Sequence, residues 1–386
     1  MTTLHEANQC GVCKAIQENP TLTNVQLGYL SGKSERSVRR HKAGGGSPLV
    51  SVPEAFFTDV PTEAITSRGR SIRTPDGWEK VSFNPNRVAQ IAARNMLLED
   101  TFAALDGYTS PVCPTKGARP FAEIFGGSDF QLGKACETGG GTKDTVERVM
   151  ASAERFKNRV LESNPIAVVI TDIGDVIENI FNVPNHQLTT NDLDLTAQIR
   201  VARRLYLEVL KLLAPLAPKV YYVSVPSNHG QVRTGPGDSV GSVDNDFGIE
   251  ISYQLEDICL NSNSEALRSI EFVRPEKYQE TATLTVCGTK IAFNHGHRTK
   301  GGINGHDVWW ANQDHGRMPG WDAHLLVVGH YHTMRAEQSG DGRWIICVSA
   351  SEPSSDYFAL SSGKRSKRGV TCVRVSEGVW SHLEIL

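Results

Sequence analysis

Two continuous apolar runs, Ile166-Ala167-Val168-Val169-Ile170 and Val220-Tyr221-Tyr222-Val223-Ser224-Val225, flank a long amphipathic helical pattern over residues 195–213. Successive strand side chains point to opposite faces, so a run without polar alternation belongs to a strand buried on both sides. The helix between them is the crossover that a parallel pair requires. These three segments constrain the chain to an α/β architecture with helices covering a sheet. Further strands are expected over 121–125, 281–286, 290–293, 325–328 and 344–348. The later ones have fewer helices between them, which points to a second, mixed sheet.

The 386 residues can bury a sizeable core. The sequence has no 18-residue apolar stretch and no basic-then-apolar start, so an unexported, cytoplasmic chain with no membrane segment is expected. A formal charge of -3 argues against whole-surface attraction to nucleic acid, so any such contact has to be local. The eight cysteines are scattered, and Cys10-x-x-Cys13 has no second pair at zinc-ribbon spacing. Reduced thiols are therefore expected rather than disulfides or a zinc site.

Three stretches follow one another. Residues 1–45 read as short helices with a turn at Gly32, a capping Ser34 and a last helix bearing Arg36, Arg39, Arg40 and Lys42. This is helix-turn-helix grammar, and the four basic residues would contact DNA phosphates; a small bundle with a solvated basic face is the competing reading. Residues 46–118 open on the linker Gly44-Gly45-Gly46-Ser47-Pro48. That linker straddles the boundary with the first stretch, and the residues after it continue through a hairpin around Thr74-Pro75-Asp76-Gly77 and a helix over 86–105. Residues 119–386 carry the α/β pattern.

The chemistry gathers at the expected strand ends. Of the twelve histidines, eight lie between His229 and His332. His330-Tyr331-His332 stands behind Gly329 at the end of the 325–328 run, and residues i and i+2 point the same way in extended chain. Both imidazoles could then reach one metal centre, although a packed or surface pair has the same spacing. Four other clusters stand at strand ends: Asp129-Phe130-Gln131, Gly174-Asp175 with Glu178, Asn228-His229, and His295-Gly296-His297. Each alone is ordinary turn composition.

Taken in order, the five clusters resemble the calcineurin-like metallophosphoesterase family. The finer pattern is similar to phage-encoded, exonuclease-like members. It runs from Ser128 to Lys134 with Gly139, Gly140, Gly141 and Thr142, then through Gly301-Gly302, Trp309-Trp310, Gln313 and His315-Gly316-Arg317. The resemblance implies a sandwich of two mixed β-sheets flanked by helices, with the helix-turn-helix as a small amino-terminal domain. It implies two divalent ions, Mn2+ foremost, with Mg2+, Fe2+ or Zn2+ as alternatives. Asp129 and His332 would hold the first ion, with Gln131 as a weak donor; Asp175 would bridge; and Asn228, His295 and His330 would complete the second. A hydroxide acidified by both ions would attack phosphorus in line. His229 would be the general acid or charge stabiliser, with Glu178 orienting it.

Two departures stand out. The family usually has His where Gln131 stands, so the first site is expected to bind metal less tightly and to lean toward Mn or Mg. Ser227 and Gly230 flank Asn228-His229 where Gly and an acid are common. The functional expectation is a nuclease acting on DNA phosphodiesters. A small-nucleotide or other phosphoester hydrolase is the alternative within enzymes, and a non-catalytic DNA-binding protein with a vestigial metal site is the alternative outside them. A homodimer is compatible with the sequence, and no segment of the kind that recruits an ATPase partner is seen. Trp309 and Trp310 are candidates for base stacking. His297, Lys134, Arg233, Arg298, Lys300 and Arg317 are candidates for substrate contact.

Overall fold

The computed structural model describes residues 70–74, 77–81, 85–109, 117–136, 140–181, 191–235, 238–340, 342–353 and 366–386. The chain divides into two compact units, Met1–Val88 and Ala89–Leu386. The helix-turn-helix expectation over 1–45, with Arg36, Arg39, Arg40 and Lys42, lies outside the described residues, as does Cys10-x-x-Cys13. In the first unit β1 (Arg70–Thr74) and β2 (Gly77–Val81) form the expected antiparallel hairpin, with Thr74 opposite Gly77. Helix α1 (Pro85–Ala103) starts on a proline, whose missing N–H costs nothing at a first helical position.

The second unit continues with β3 (Arg119–Gly127), α2 (Thr142–Ser163), β4 (Pro165–Asp172), α3 (Leu195–Leu213) and β5 (Lys219–Ser224). A small hairpin, β6 (Arg233–Gly235) and β7 (Asp238–Ser239), precedes α4 (Phe247–Leu260), α5 (Glu265–Arg268) and β8 (Glu271–Val273). Then come β9 (Ala282–Val286), β10 (Thr289–Asn294), α6 (His306–Gly316), β11 (Leu325–Val328), β12 (Arg335–Gln338), β13 (Trp344–Cys347), β14 (Thr371–Ser376) and β15 (Val379–Ile385). A six-stranded sheet has the order β15-β14-β3-β4-β5-β8, and a five-stranded sheet the order β12-β13-β11-β10-β9. Both are mixed, with β3, β4, β5 and β8 parallel in one and β10, β11 and β13 parallel in the other.

Strand alternation sorts the apolar runs into separate cores. On β4, Ala167 and Val169 pack between the sheets with Ile291, Phe293, Leu325 and Val327 of the facing sheet. Val168 and Ile170 turn the other way, into a core shared with Phe156 of α2, Leu205 and Tyr206 of α3, and Leu255 of α4. The second sheet repeats the logic on a smaller scale, with Leu326, Val328 and Ile345 packing against Trp310 of α6. The continuous apolar runs therefore read as they do because both faces of each central strand are covered.

Register then decides where the polar ends fall. Gly127 pairs with Asp172, and Asp172 with Ser224, so β3, β4 and β5 end level with one another. In the other sheet Asn294 pairs with Val328, so β10 and β11 end level as well. The carboxyl ends of parallel strands in open α/β sheets are where side chains from several loops converge.

Candidate metal centre

The segment after each of those five strands contributes a side chain to one cluster. Asp175 Oδ2 lies 3.0 Å from His295 Nε2, and the ligand atoms of Asp175, His295 and His330 all fall within 4.8 Å of one another. Asn228 Oδ1 stands 3.1 Å from the same His295 nitrogen. In a second pair, His332 Nε2 lies 3.1 Å from Asp129 Oδ1. Asp129, Asp175 and His295 are buried.

Hydrogen bonding shows what this cluster lacks. His295 Nδ1 is 2.7 Å from the Ile173 carbonyl, which can only accept, so Nδ1 carries the proton and Nε2 offers a lone pair. That lone pair faces two oxygens, Asp175 Oδ2 and Asn228 Oδ1, which are themselves acceptors. His332 repeats the arrangement, with Nδ1 3.0 Å from Glu352 Oε1 and Nε2 turned to Asp129. Asp129 Oδ1 and Asp175 Oδ2 are buried with no hydrogen-bond partner among the described residues. Convergent lone pairs on buried oxygen and imidazole nitrogen form a cation site, and a carboxylate behind a ligating imidazole is its usual support. The donor set therefore fits divalent metal.

Without an ion the same crowding appears as proton affinity. Burial alone would lower His295 and His332, yet Asp175 raises the first to about 9, and Asp129 with Glu352 raises the second to about 10. Burial would raise Asp175, but His295 and His229 hold its carboxyl well below the usual range. His330 goes the other way, down to about 4, through burial and the neighbouring His295 charge. At neutral pH His330 is thus a neutral imidazole ready to ligate.

The backbone holds this geometry under strain. Asp129, Gln131, Asp175, His330 and His332 adopt left-handed conformations, with φ of 50°, 43°, 55°, 69° and 53°. For non-glycine residues each such conformation costs about 1–2 kcal/mol, and such residues cluster at functional sites. These angles correct the reasoning from extended chain: His330 and His332 do not share a face through strand periodicity. β11 stops at Val328, and the two rings are aimed by separate bends. Gly329 permits the approach, since a Cβ there would lie 2.2 Å from Ser128 Oγ and 2.8 Å from Asp129 Oδ2. The His330 amide then donates to Asp129 Oδ2 at 3.0 Å.

His229 stands at the edge of the cluster, its Nε2 3.8 Å from Asp175 Oδ2. Its Nδ1 lies 3.0 Å from the Glu178 backbone carbonyl and 3.3 Å from Glu178 Oε2, and its backbone N–H donates to Asp175 Oδ1 at 2.8 Å. Gln131 is buried, but its Oε1 accepts from Lys134 Nζ at 2.7 Å and its amide nitrogen is 3.4 Å from His229 Nε2.

Several residues that hold the site escaped the sequence reading. Glu352 supports His332 and pairs with Lys134 at 2.8 Å. Asn179 Nδ2 donates to the His229 carbonyl at 2.7 Å. Asp246 caps α4 and accepts from the Ser227 amide at 2.9 Å, anchoring the turn that carries Asn228 and His229. Asp172 ends β4 with one buried oxygen unpartnered. An acid just past a buried strand end was the available signal for Asp172, and more faintly for Glu352 after β13.

The accessory residues divide. Trp310 is 2 % exposed, and its Nε1 donates to the Gly320 carbonyl, so it is a core residue beneath Arg343 rather than a stacking platform; Trp309 is half-buried against the same cluster. Arg298 is paired with Glu280, and Arg233 with the Asn228 carbonyl and Gln231. Both nitrogens of His297 are buried without a hydrogen-bond partner among the described residues, and its Nε2 lies 3.8 Å from Glu280 Oε1. Lys300 is exposed, and Arg317 is exposed beside Trp321.

Burial, with Asp246 nearby, pushes Asp172 up to about 8, and burial pushes Asp246 up to about 7. A carboxyl raised in the fold favours folding fully only below its ordinary value of 3.8. That contribution is lost as pH rises toward the folded value. Metal-free protein should therefore lose melting temperature between about pH 5 and pH 8, and Asp172→Asn should flatten that slope in thermal unfolding. An unchanged slope in the variant would remove Asp172 from the account.

No family model matches the chain, and no curated protein matches it. Among solved structures, it is similar to Vps29 from Entamoeba histolytica complexed with zinc, at 12% identity and a TM-score of 0.29, covering 67% of this chain and 88% of that one. Vps29 from Chaetomium thermophilum gives 12% identity and a TM-score of 0.29, covering 66% and 85%. A conserved uncharacterized protein from Streptococcus pneumoniae, described as a predicted phosphoesterase, gives 16% identity and a TM-score of 0.23, covering 44% and 74%. Likeness at that level leaves the functional reading to the geometry of the strand ends. Among the described residues no helix is long and apolar enough to cross a membrane.

Proposed function

We propose that this chain is a metal-dependent phosphoesterase that hydrolyses phosphodiester bonds, with DNA as the substrate class. The observation that carries the proposal is the convergence of Asp175, His295 and His330 with Asn228, in which imidazole nitrogens and buried oxygens are gathered around one point. Divalent ions held there, with a second position at Asp129 and His332, would supply Lewis acidity and a water-derived nucleophile at neutral pH.

The chain's own residues do the rest. Glu178 receives His229 Nδ1–H, which directs Nε2 toward the cluster. Burial alone would depress the ring, but Asp175 and Glu178 outweigh it and favour the charged form. A ring so placed holds a proton at Nε2 for the departing ester oxygen. Asn179 and Asp246 keep the Asn228-His229 turn from drifting, and Gly174 allows the turn after β4 to pass close to His295, since a Cβ there would lie 2.7 Å from its Nδ1.

General-acid catalysis by His229 has a distinct signature. His229→Gln is expected to lower kcat on a nucleotide phosphodiester by about 10²–10⁴-fold. The loss should be much smaller on bis-p-nitrophenyl phosphate, whose leaving group needs no proton, and metal content should be unchanged. Equal losses on both substrates would exclude the role.

DNA as substrate is supported by the amino-terminal basic residues and by the likeness to phage exonuclease-like members. Hydrolysis of a small nucleotide is the competing reading, and one observation favours it: Arg298, Arg233 and Lys134 beside the centre are engaged within the protein. Incubation of labelled single-stranded, duplex and cyclic-dinucleotide substrates with Mn2+, Mg2+ and Zn2+ in parallel separates the two. Cleavage of the cyclic dinucleotide alone would defeat the DNA reading, and metal binding without any turnover would favour a vestigial site.

A further inference from the structure

The two sides of Asp175 are furnished unequally. On one side the ligand atoms of Asp175, His295 and His330 are gathered within 4.8 Å, with Asn228 alongside. On the other stand Asp129 and His332, and the position that the family resemblance adds to them is Gln131, buried two residues after Asp129. Lys134 intervenes: its side chain is 14% exposed, and its Nζ lies 2.7 Å from Gln131 Oε1 and 2.8 Å from Glu352 Oε2. An ammonium only donates, so the Gln131 atom facing it is the oxygen, and the orientation of the amide is settled. The atom turned away from Lys134 is Nε2, 3.4 Å from His229 Nε2, too long for a hydrogen bond between two protonated nitrogens. An amide nitrogen carries two N–H donors and cannot ligate a cation. The same ammonium places a positive charge behind the position and holds the carboxylate that supports His332.

We infer that Lys134 sets the occupancy of the metal centre by withholding the Gln131 carbonyl. The chain then binds one divalent ion tightly through Asp175, Asn228, His295 and His330, and a second only weakly at Asp129 and His332. This rests on the metal-dependent reading of the centre and adds to it a residue with no place in the ligand set.

The test is Mn2+ binding to metal-depleted, full-length protein, followed by free-ion electron paramagnetic resonance and by metal analysis after desalting. Wild type should retain one ion per chain, with a second binding at least about ten-fold more weakly and an exchange-coupled signal only at high Mn2+. Gln131→Glu keeps an oxygen for Lys134 and replaces Nε2 with a second oxygen, so it should tighten the second ion by about ten-fold or more. Lys134→Met, which frees the carbonyl without adding charge, should shift it in the same direction. Two equally tight ions in wild type would overturn the inference and leave the phosphoesterase reading intact. So would an unchanged second ion in a folded Gln131→Glu protein. No retained ion at all would overturn both. Should Lys134→Met fail to fold, wild type and the near-isosteric Gln131→Glu still decide the question.

Discussion

Replacing Asp175 by alanine is expected to abolish metal-dependent phosphodiester hydrolysis while the protein still folds. Asp175 is the charged member of the cluster: His295 lies 3.0 Å from its Oδ2, and the His229 amide donates to its Oδ1. Its loss removes the charged ligand of the cluster and leaves neutral donors, which hold a divalent cation weakly. A bound metal contributes several kcal/mol of transition-state stabilisation, and each 1.36 kcal/mol is a factor of ten, so activity should fall by about 10³-fold or more. Folding should survive, because Asp175 lies outside the apolar cores that cover both faces of β4. The measurement is turnover of bis-p-nitrophenyl phosphate with saturating Mn2+, beside circular dichroism and metal analysis. A well-folded Asp175→Ala protein with undiminished turnover would defeat the assignment of the centre.

The second large effect concerns DNA. Changing Arg36, Arg39, Arg40 and Lys42 together to alanine is expected to weaken DNA binding steeply and to flatten its salt dependence. If each neutralises one phosphate, the slope of log affinity against log salt should shrink by about 0.9 per residue, or roughly 3 to 4 for the set. Turnover of a small model phosphodiester should stay the same, because the centre is built wholly from Asp129 and residues after it. Fluorescence anisotropy of a labelled duplex at several salt concentrations reads the slope. An unaltered slope would mean that DNA, if bound, is bound elsewhere.

The strands were legible because of how they are buried. Residues 166–170 and 220–225 read as sheet interior since both faces of β4 and β5 are covered, one by the facing sheet and one by helices. The helix over residues 195–213 was legible because α3 presents one stripe to that core. The strand-end clusters were legible as chemistry because parallel strands in level register end together. Glu352 was not. It lies 20 positions from the imidazole it supports, with no spacing that links them until β11 and β13 pair. Lys134 stands three residues from Gln131 and reads as a candidate substrate contact, since nothing local reveals that it is buried against Glu352.

Sequence alone determined the architecture and the identity of the convergent side chains, because burial on two faces and polar strand ends are properties of composition in order. Tertiary structure alone decided the aim of each side chain. The bends at His330 and His332, the donor that Gln131 turns away from Lys134 and the carboxylate behind His332 depend on contacts between segments far apart in the chain. A metal centre is specified by distances of a few ångströms among loops, and only packing of the two sheets sets those distances.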